Sequence, residues 1–162
     1  MLSPAVRRFL FATILVALSA LPASAQTFTL TATLTGNGEP TPISTGAFGS
    51  AVVTVDMGAR TVTYRVDVFN LPSGVTASHI HAGPIGVNGP VVVNFAPTQN
   101  VSNDFAFGGT VRDTEFALQP NIGIRSADDM FQAILGGNSY VNVHSAVNTG
   151  GEIRGQLTLR QP

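Results

Sequence analysis

Thr61-Val62-Thr63-Tyr64-Arg65-Val66-Asp67-Val68 alternates polar with apolar residues without a break before Phe69, and that alternation decides the fold class. Residues two apart on a strand face the same side, so this segment has one apolar and one polar face as a strand. Just upstream, Gly46 to Asp56 contains Ala51-Val52-Val53-Thr54-Val55, and Asp56-Met57-Gly58-Ala59 has the composition of a hairpin turn. Working outward, Phe28 to Leu34 alternates apolar residues with threonine. Val75 to His81, Val91 to Phe95, a more polar Thr110 to Leu118, Ser139 to Ser145, and Glu152 to Leu159 follow as further strands, the last two joined by Asn148-Thr149-Gly150-Gly151. One helix is predicted over Ser126 to Leu135: Ser126 caps it, Asp128 and Asp129 sit at its positive end, and Gly136-Gly137 stops it. About eight short strands with frequent turns predict an all-β, antiparallel sandwich or barrel with one short helix.

The chain has 162 residues, enough for one domain with a real core. Met1 to Arg8 carries two arginines and no acid, Phe9 to Leu21 is almost wholly apolar, and Ala23-Ser24-Ala25 is an A-x-A cleavage site. Residues 1–25 are therefore expected to be a signal peptide, and 26–162 the mature domain, secreted or periplasmic. The apolar run is short of the roughly 20 residues that span a bilayer, so no membrane association is expected after cleavage. Arg7-Arg8 is ordinary n-region chemistry, which favours the general secretory route, with twin-arginine export as the alternative. With no cysteine the chain uses neither a lipid anchor nor disulfides, and hydrophobic burial carries its stability. Losing Arg7 and Arg8 leaves six arginines against nine acids. Without a basic stripe interleaved with aromatics, nucleic acid is excluded as a partner.

All three histidines fall in two strand-like segments, His79-Ile80-His81 and Tyr140-Val141-Asn142-Val143-His144. Alternation puts His79 and His81 on one face with Ile80 opposite. Tyr140, Asn142 and His144 likewise share a face, with Val141 and Val143 toward the core. Two imidazoles from one strand and a third from its neighbour can bind one ion at about 2.0 to 2.1 Å and leave a coordination position open. Imidazole suits zinc, copper, iron and nickel, and nitrogen-only ligation disfavours an iron-sulfur cluster or a blue-copper centre. The competing reading is that an H-x-H pair is a surface feature that binds nothing.

Glu152 and Arg154 share a face in Gly151-Glu152-Ile153-Arg154-Gly155-Gln156-Leu157. Glu152 or Asn142 is expected to orient an imidazole through its second nitrogen, and Arg154 to steer a small anion. A cross-strand Glu–Arg pair on a solvated face is the alternative. The run Gly83-Pro84-Ile85-Gly86-Val87-Asn88-Gly89-Pro90 after His81 is turn chemistry and lacks the ending of a phosphate loop. The sequence has no G-x-S-x-G elbow, cysteine nucleophile or acidic calcium loop.

Together these segments resemble the CHRD domain, the module repeated in chordin and found alone in bacterial secreted proteins. The resemblance rests on Gly38-Glu39-Pro40-Thr41-Pro42, on His79-Ile80-His81-Ala82-Gly83 with Gly86 and Asn88-Gly89-Pro90, on Tyr140 to His144, and on Gly150 to Leu157. Thr41 between the prolines and the stretch from Thr98 to Gly109 depart from the pattern. The family implies an immunoglobulin-like β-sandwich in an extracellular or periplasmic setting and no settled biochemical role. A weaker likeness is to the copper-zinc superoxide dismutases, whose sandwich also presents an H-x-H pair and an arginine near the metal. By that likeness His79, His81 and His144 match ligands and Arg154 the anion guide, while the bridging histidine and zinc ligands have no counterpart.

The expectation is an exported metalloprotein with a mononuclear three-histidine site for copper or iron, zinc being possible. Tyr140, Asn142 and Glu152 would surround the site, with a small oxygen species such as superoxide at the open position. The alternative is a non-catalytic extracellular binding or adhesion module whose partner is another protein.

Overall fold

The computed structural model describes residues 26–97 and 102–161; the expected signal peptide, residues 1–25, lies outside the described residues. Among these residues are nine strands and one α-helix. The strands are β1 (Thr27–Thr35), β2 (Phe48–Asp56), β3 (Thr61–Phe69), β4 (Ala77–Ala82), β5 (Val91–Asn94), β6 (Phe105–Arg112), β7 (Ser139–His144), β8 (Ile153–Gln156) and β9 (Thr158–Leu159), with α1 (Ala127–Leu135) between β6 and β7. They form one sheet in the order β5-β4-β7-β8-β1-β2-β3-β6, all pairings antiparallel, with β9 on β1. The fold is all-β and sandwich-like, as expected.

The sheet has two halves. β1, β2 and β3 pair along their full lengths, from Thr27↔Asp56 to Thr35↔Phe48 and from Phe48↔Phe69 to Asp56↔Thr61. By contrast, β8 meets β1 at a single pair, Arg154 with Thr35. On either side of this narrow seam the halves send side chains into one core: Leu30, Val53 and Val66 from one, Ile80, Val141 and Ile153 from the other, all fully buried. Removing any of these from water and close packing is worth roughly 2 to 5 kcal/mol against alanine.

Alternation holds strictly in β3, where Val62, Tyr64, Val66 and Val68 are buried while Thr63 and Arg65 are exposed. The helix starts and stops as predicted: Ser126 Oγ accepts from the Asp129 amide at 3.1 Å, Asp129 accepts from the Ser126 amide, and Gly137 takes a left-handed φ of 76°. Phe131 and Ile134 face the core, and Arg60 ties the β2–β3 hairpin to the helix by bonding Asp113 and Asp128.

The strand predicted over Thr110 to Leu118 is misplaced, since β6 occupies Phe105 to Arg112 and Asp113–Glu115 is a 3₁₀ turn. Gly108-Gly109 has the look of a break, yet both pair with β3. Any Cβ at Gly108 would lie 2.8 Å from the Tyr64 carbonyl oxygen, and at Gly109 2.8 Å from the Tyr64 hydroxyl. The buried tyrosine thus demands glycine within a strand. No helix among the described residues is long and apolar enough to cross a membrane.

Candidate metal centre

Register brings the histidines together. β4 pairs β7 through Ala77↔His144, His79↔Asn142 and His81↔Tyr140, so His144 lies diagonally across from His79 on the same face. β4 buries alternate residues, with Ser78, Ile80 and Ala82 inside and both histidines half-buried outside. Each histidine offers one ring nitrogen such that the three nitrogens lie within 4.8 Å of one another. His79 Nδ1 and His144 Nε2 are 3.2 Å apart, a spacing that two nitrogens bound to one ion at about 2.0 to 2.1 Å can share.

Backbone carbonyls fix two of the rings. His81 Nδ1 donates to the Gly89 oxygen at 2.8 Å and His144 Nδ1 to the Thr149 oxygen at 2.7 Å. Each Nδ1 therefore carries the proton and each Nε2 a free lone pair. His144 directs that lone pair at His79, whereas His81 Nε2 is buried with no hydrogen-bond partner. A buried acceptor left without a donor costs about 1 to 3 kcal/mol, a cost that a cation held there would offset. Burial, with His144 and His81 nearby, pushes His79 down to about 4. Burial also lowers His81, opposed by its bond to Gly89. Both rings are therefore neutral at pH 7, the form in which imidazole ligates.

Around the histidines the outer face of β7 and β8 is polar and buried. Tyr140, Asn142, Glu152 and Arg154 are each 3 % exposed or less. Two loops roof them. In the 83–90 loop, Pro84 and Val87 carbonyls accept from Arg154 Nη2 at 3.2 and 2.8 Å, and Asn88 Oδ1 accepts from Nη1 at 3.3 Å. The Arg154 guanidinium carbon stands 3.2 Å from the centre of the Tyr140 ring, and that ring stacks on His81 at 4.8 Å and 7°. The Tyr140 hydroxyl accepts from the Gly89 amide at 3.1 Å, which holds the same residue whose carbonyl orients His81. Gly89 has no room for a side chain, since its Cβ would lie 1.6 Å from the Ala82 oxygen.

In the second loop, between β1 and β2, Glu39 accepts from Asn142 Nδ2 and Thr45 Oγ1 donates to Glu152 Oε1 at 2.7 Å. Glu152 Oε2 accepts from Ser145, whose oxygen in turn accepts from the Val147 and Asn148 amides. Burial raises the Glu39 pKa, with Arg154 and Asn142 pulling it back.

The predicted residues are thus gathered on one face, with His79, His81 and His144 converging and Tyr140 against His81. Glu152 and Asn142 hold the loops, and the acceptors on His81 and His144 are main-chain oxygens. Arg154 presents its N–H groups to the 83–90 loop, although its charge is felt at His81. The residue missed is Glu39, and its signal was its place in Gly38-Glu39-Pro40. The Gly89 and Thr149 carbonyls leave no side-chain trace in a sequence.

Comparison with curated proteins and with solved structures gives no match. A family model does match: the CHRD domain, over residues 30–157. That span runs from β1 to the end of β8 and takes in the histidines, both roofing loops and the arginine clamp, so the chain belongs to the CHRD domain family.

Proposed function

We propose that this is an exported metal-binding domain in which His79, His81 and His144 hold one transition-metal ion open to a small oxygen species such as superoxide. The observation that carries the reading is the buried, unpartnered Nε2 of His81 within reach of two more imidazole nitrogens. The imidazoles supply nitrogen ligation without a carboxylate, which suits copper or iron. Either metal brings one-electron chemistry, whereas zinc has none. Gly89 and Thr149 hold the protons on the far side of their rings. Tyr140 and the 83–90 loop screen His81 from water on one side, and the half-exposure of the three rings leaves the site reachable from the other. The Arg154 charge favours an approaching anion through space.

The test is metal analysis of untagged protein followed by a superoxide-decay assay. One equivalent of copper or iron is expected, lost in His81→Ala, with superoxide decay that falls in parallel. Protein free of metal after exposure to both ions overturns the site, and metal without superoxide decay confines the proposal to binding.

A second reading, an extracellular binding module, is favoured by one observation. Exposed Val87 and Ile122 line an apolar cleft of about 440 Å³ beside the 83–90 loop. Ile122→Asp separates the two readings, because it spoils an apolar contact in the cleft and leaves the metal content unchanged.

A further inference from the structure

We infer that the histidine site prefers a monovalent ion, Cu(I), over divalent ions, and that Arg154 sets this preference. The inference deepens the metal-site reading and rests on it. Its basis is the distribution of charge around three neutral ligands. The buried carboxylate of Glu152 and the half-buried one of Glu39 are engaged elsewhere: Glu152 bonds Thr45 and Ser145, and Glu39 bonds Asn142. The ion's charge is therefore not neutralised by its ligands.

A fixed positive charge stands close by. Arg154 is 2 % exposed, and guanidinium does not give up its proton in proteins. β7 lies between β4 and β8 in the sheet, so His81 meets the Tyr140 ring from the β4 side and Arg154 from the β8 side. Stacking on a shared ring puts the guanidinium carbon within about 8 Å of the His81 ring centre, with protein rather than water between them. Repulsion scales with the charge of the ion, so a divalent ion is opposed twice as strongly as a monovalent one. At an effective dielectric of about 20 and a separation of about 10 Å, one unit of charge is worth roughly a tenfold change in the ratio of the two affinities. Of the metals that imidazole suits, copper has an accessible monovalent state.

Glu39 is the internal control. Its half-buried carboxylate bonds Asn142 and is attracted to Arg154, so it acts on the ion with the opposite sign. The experiment measures Cu(I) and Cu(II) affinities separately, each against a competing chelator, on the full chain and on Arg154→Gln, Arg154→Lys and Glu39→Gln. The Cu(I)-to-Cu(II) affinity ratio should fall about tenfold in Arg154→Gln, equivalent to about 59 mV in potential. It should stay near the wild-type value in Arg154→Lys and rise in Glu39→Gln. A merely structural arginine gives another pattern, in which both Arg154 variants fall together and Glu39→Gln does not move; that pattern overturns the inference. Should the arginine variants fail to fold, Glu39→Gln decides by itself, because glutamine keeps the oxygen that Asn142 bonds, and an unchanged or lowered ratio refutes the proposal. A wild-type chain that takes up no copper defeats the histidine-site reading, whereas copper bound with a ratio indifferent to Glu39 and Arg154 defeats only this inference.

Discussion

The two halves of the sheet solve the same problem in different ways. In β1, β2, β3 and β6 the inner face is core and most of the outer face is solvated, so threonine, serine and arginine there find water. In β4, β7 and β8 the inner face is equally apolar, but the outer face is roofed by the loops at 36–45 and 83–90, and each polar group under them needs a protein partner. The first half is held by burial of apolar surface. The second adds a connected polar layer, and there the unpartnered imidazole nitrogen lies. The proposed site lies where polar groups are shielded, and shielding strengthens every charge interaction among them.

Paired substitutions break this contrast most directly. Arg154→Ala should lower the unfolding free energy by about 3 kcal/mol, as it strands the Pro84 and Val87 carbonyls and removes the contact with Tyr140. Arg65→Ala, whose side chain is 64 % exposed and bonds Asp67 directly at 2.6 Å on a solvated face, should cost less than about 0.5 kcal/mol. Equal denaturant midpoints for the two variants would dissolve the distinction between the halves. Next in size, Thr45→Val should cost about 2 kcal/mol by leaving the buried Glu152 short of a donor, while Thr63→Val, in an exposed threonine pair with Thr110, should be nearly neutral.

Acid sharpens the comparison by a smaller amount. The His79 pKa is about 4 in the folded protein against 6.5 unfolded, so between those values the unfolded chain binds a proton that the native one refuses. Stability of the metal-free protein should therefore be flat above pH 6.5 and fall as pH drops toward 4. The slope should be shallower in His79→Gln, with His81 responsible for the remainder. Urea titrations at pH 7 and pH 5 are the check, and equal midpoints would contradict it. The smallest effect belongs to the outer face of the first half, where exposed Phe48 and Phe69 stack across β2 and β3 at 5.2 Å. Phe48→Ala should cost about 1 kcal/mol or less by thermal melt, with copper content unaltered.

What sequence could disclose divides along the same line. Strands β2 and β3 were legible because one solvated face imposes alternation, and the helix because Ser126 and Gly136-Gly137 mark its ends. The facing of His79 and His81 away from Ile80 followed from the same rule. The burial of Asn142, Glu152 and Arg154 was not legible, since it depends on loops whose path no periodicity encodes. Nor was β6, whose glycines answer a tyrosine on the neighbouring strand rather than a turn. Short β9 was merged into the segment ending at Leu159, although Leu157 separates it from β8 and it pairs with β1 instead.

The ties from Gly89 and Thr149 to the two imidazoles are made by the folded chain alone. They fix the orientation of both rings, so a metal bound as proposed would demand little further ordering of them. A metal bound there as proposed could be surrendered to a stronger chelator and replaced with the sheet intact, the behaviour of a reusable trap rather than of a fold that collapses when stripped.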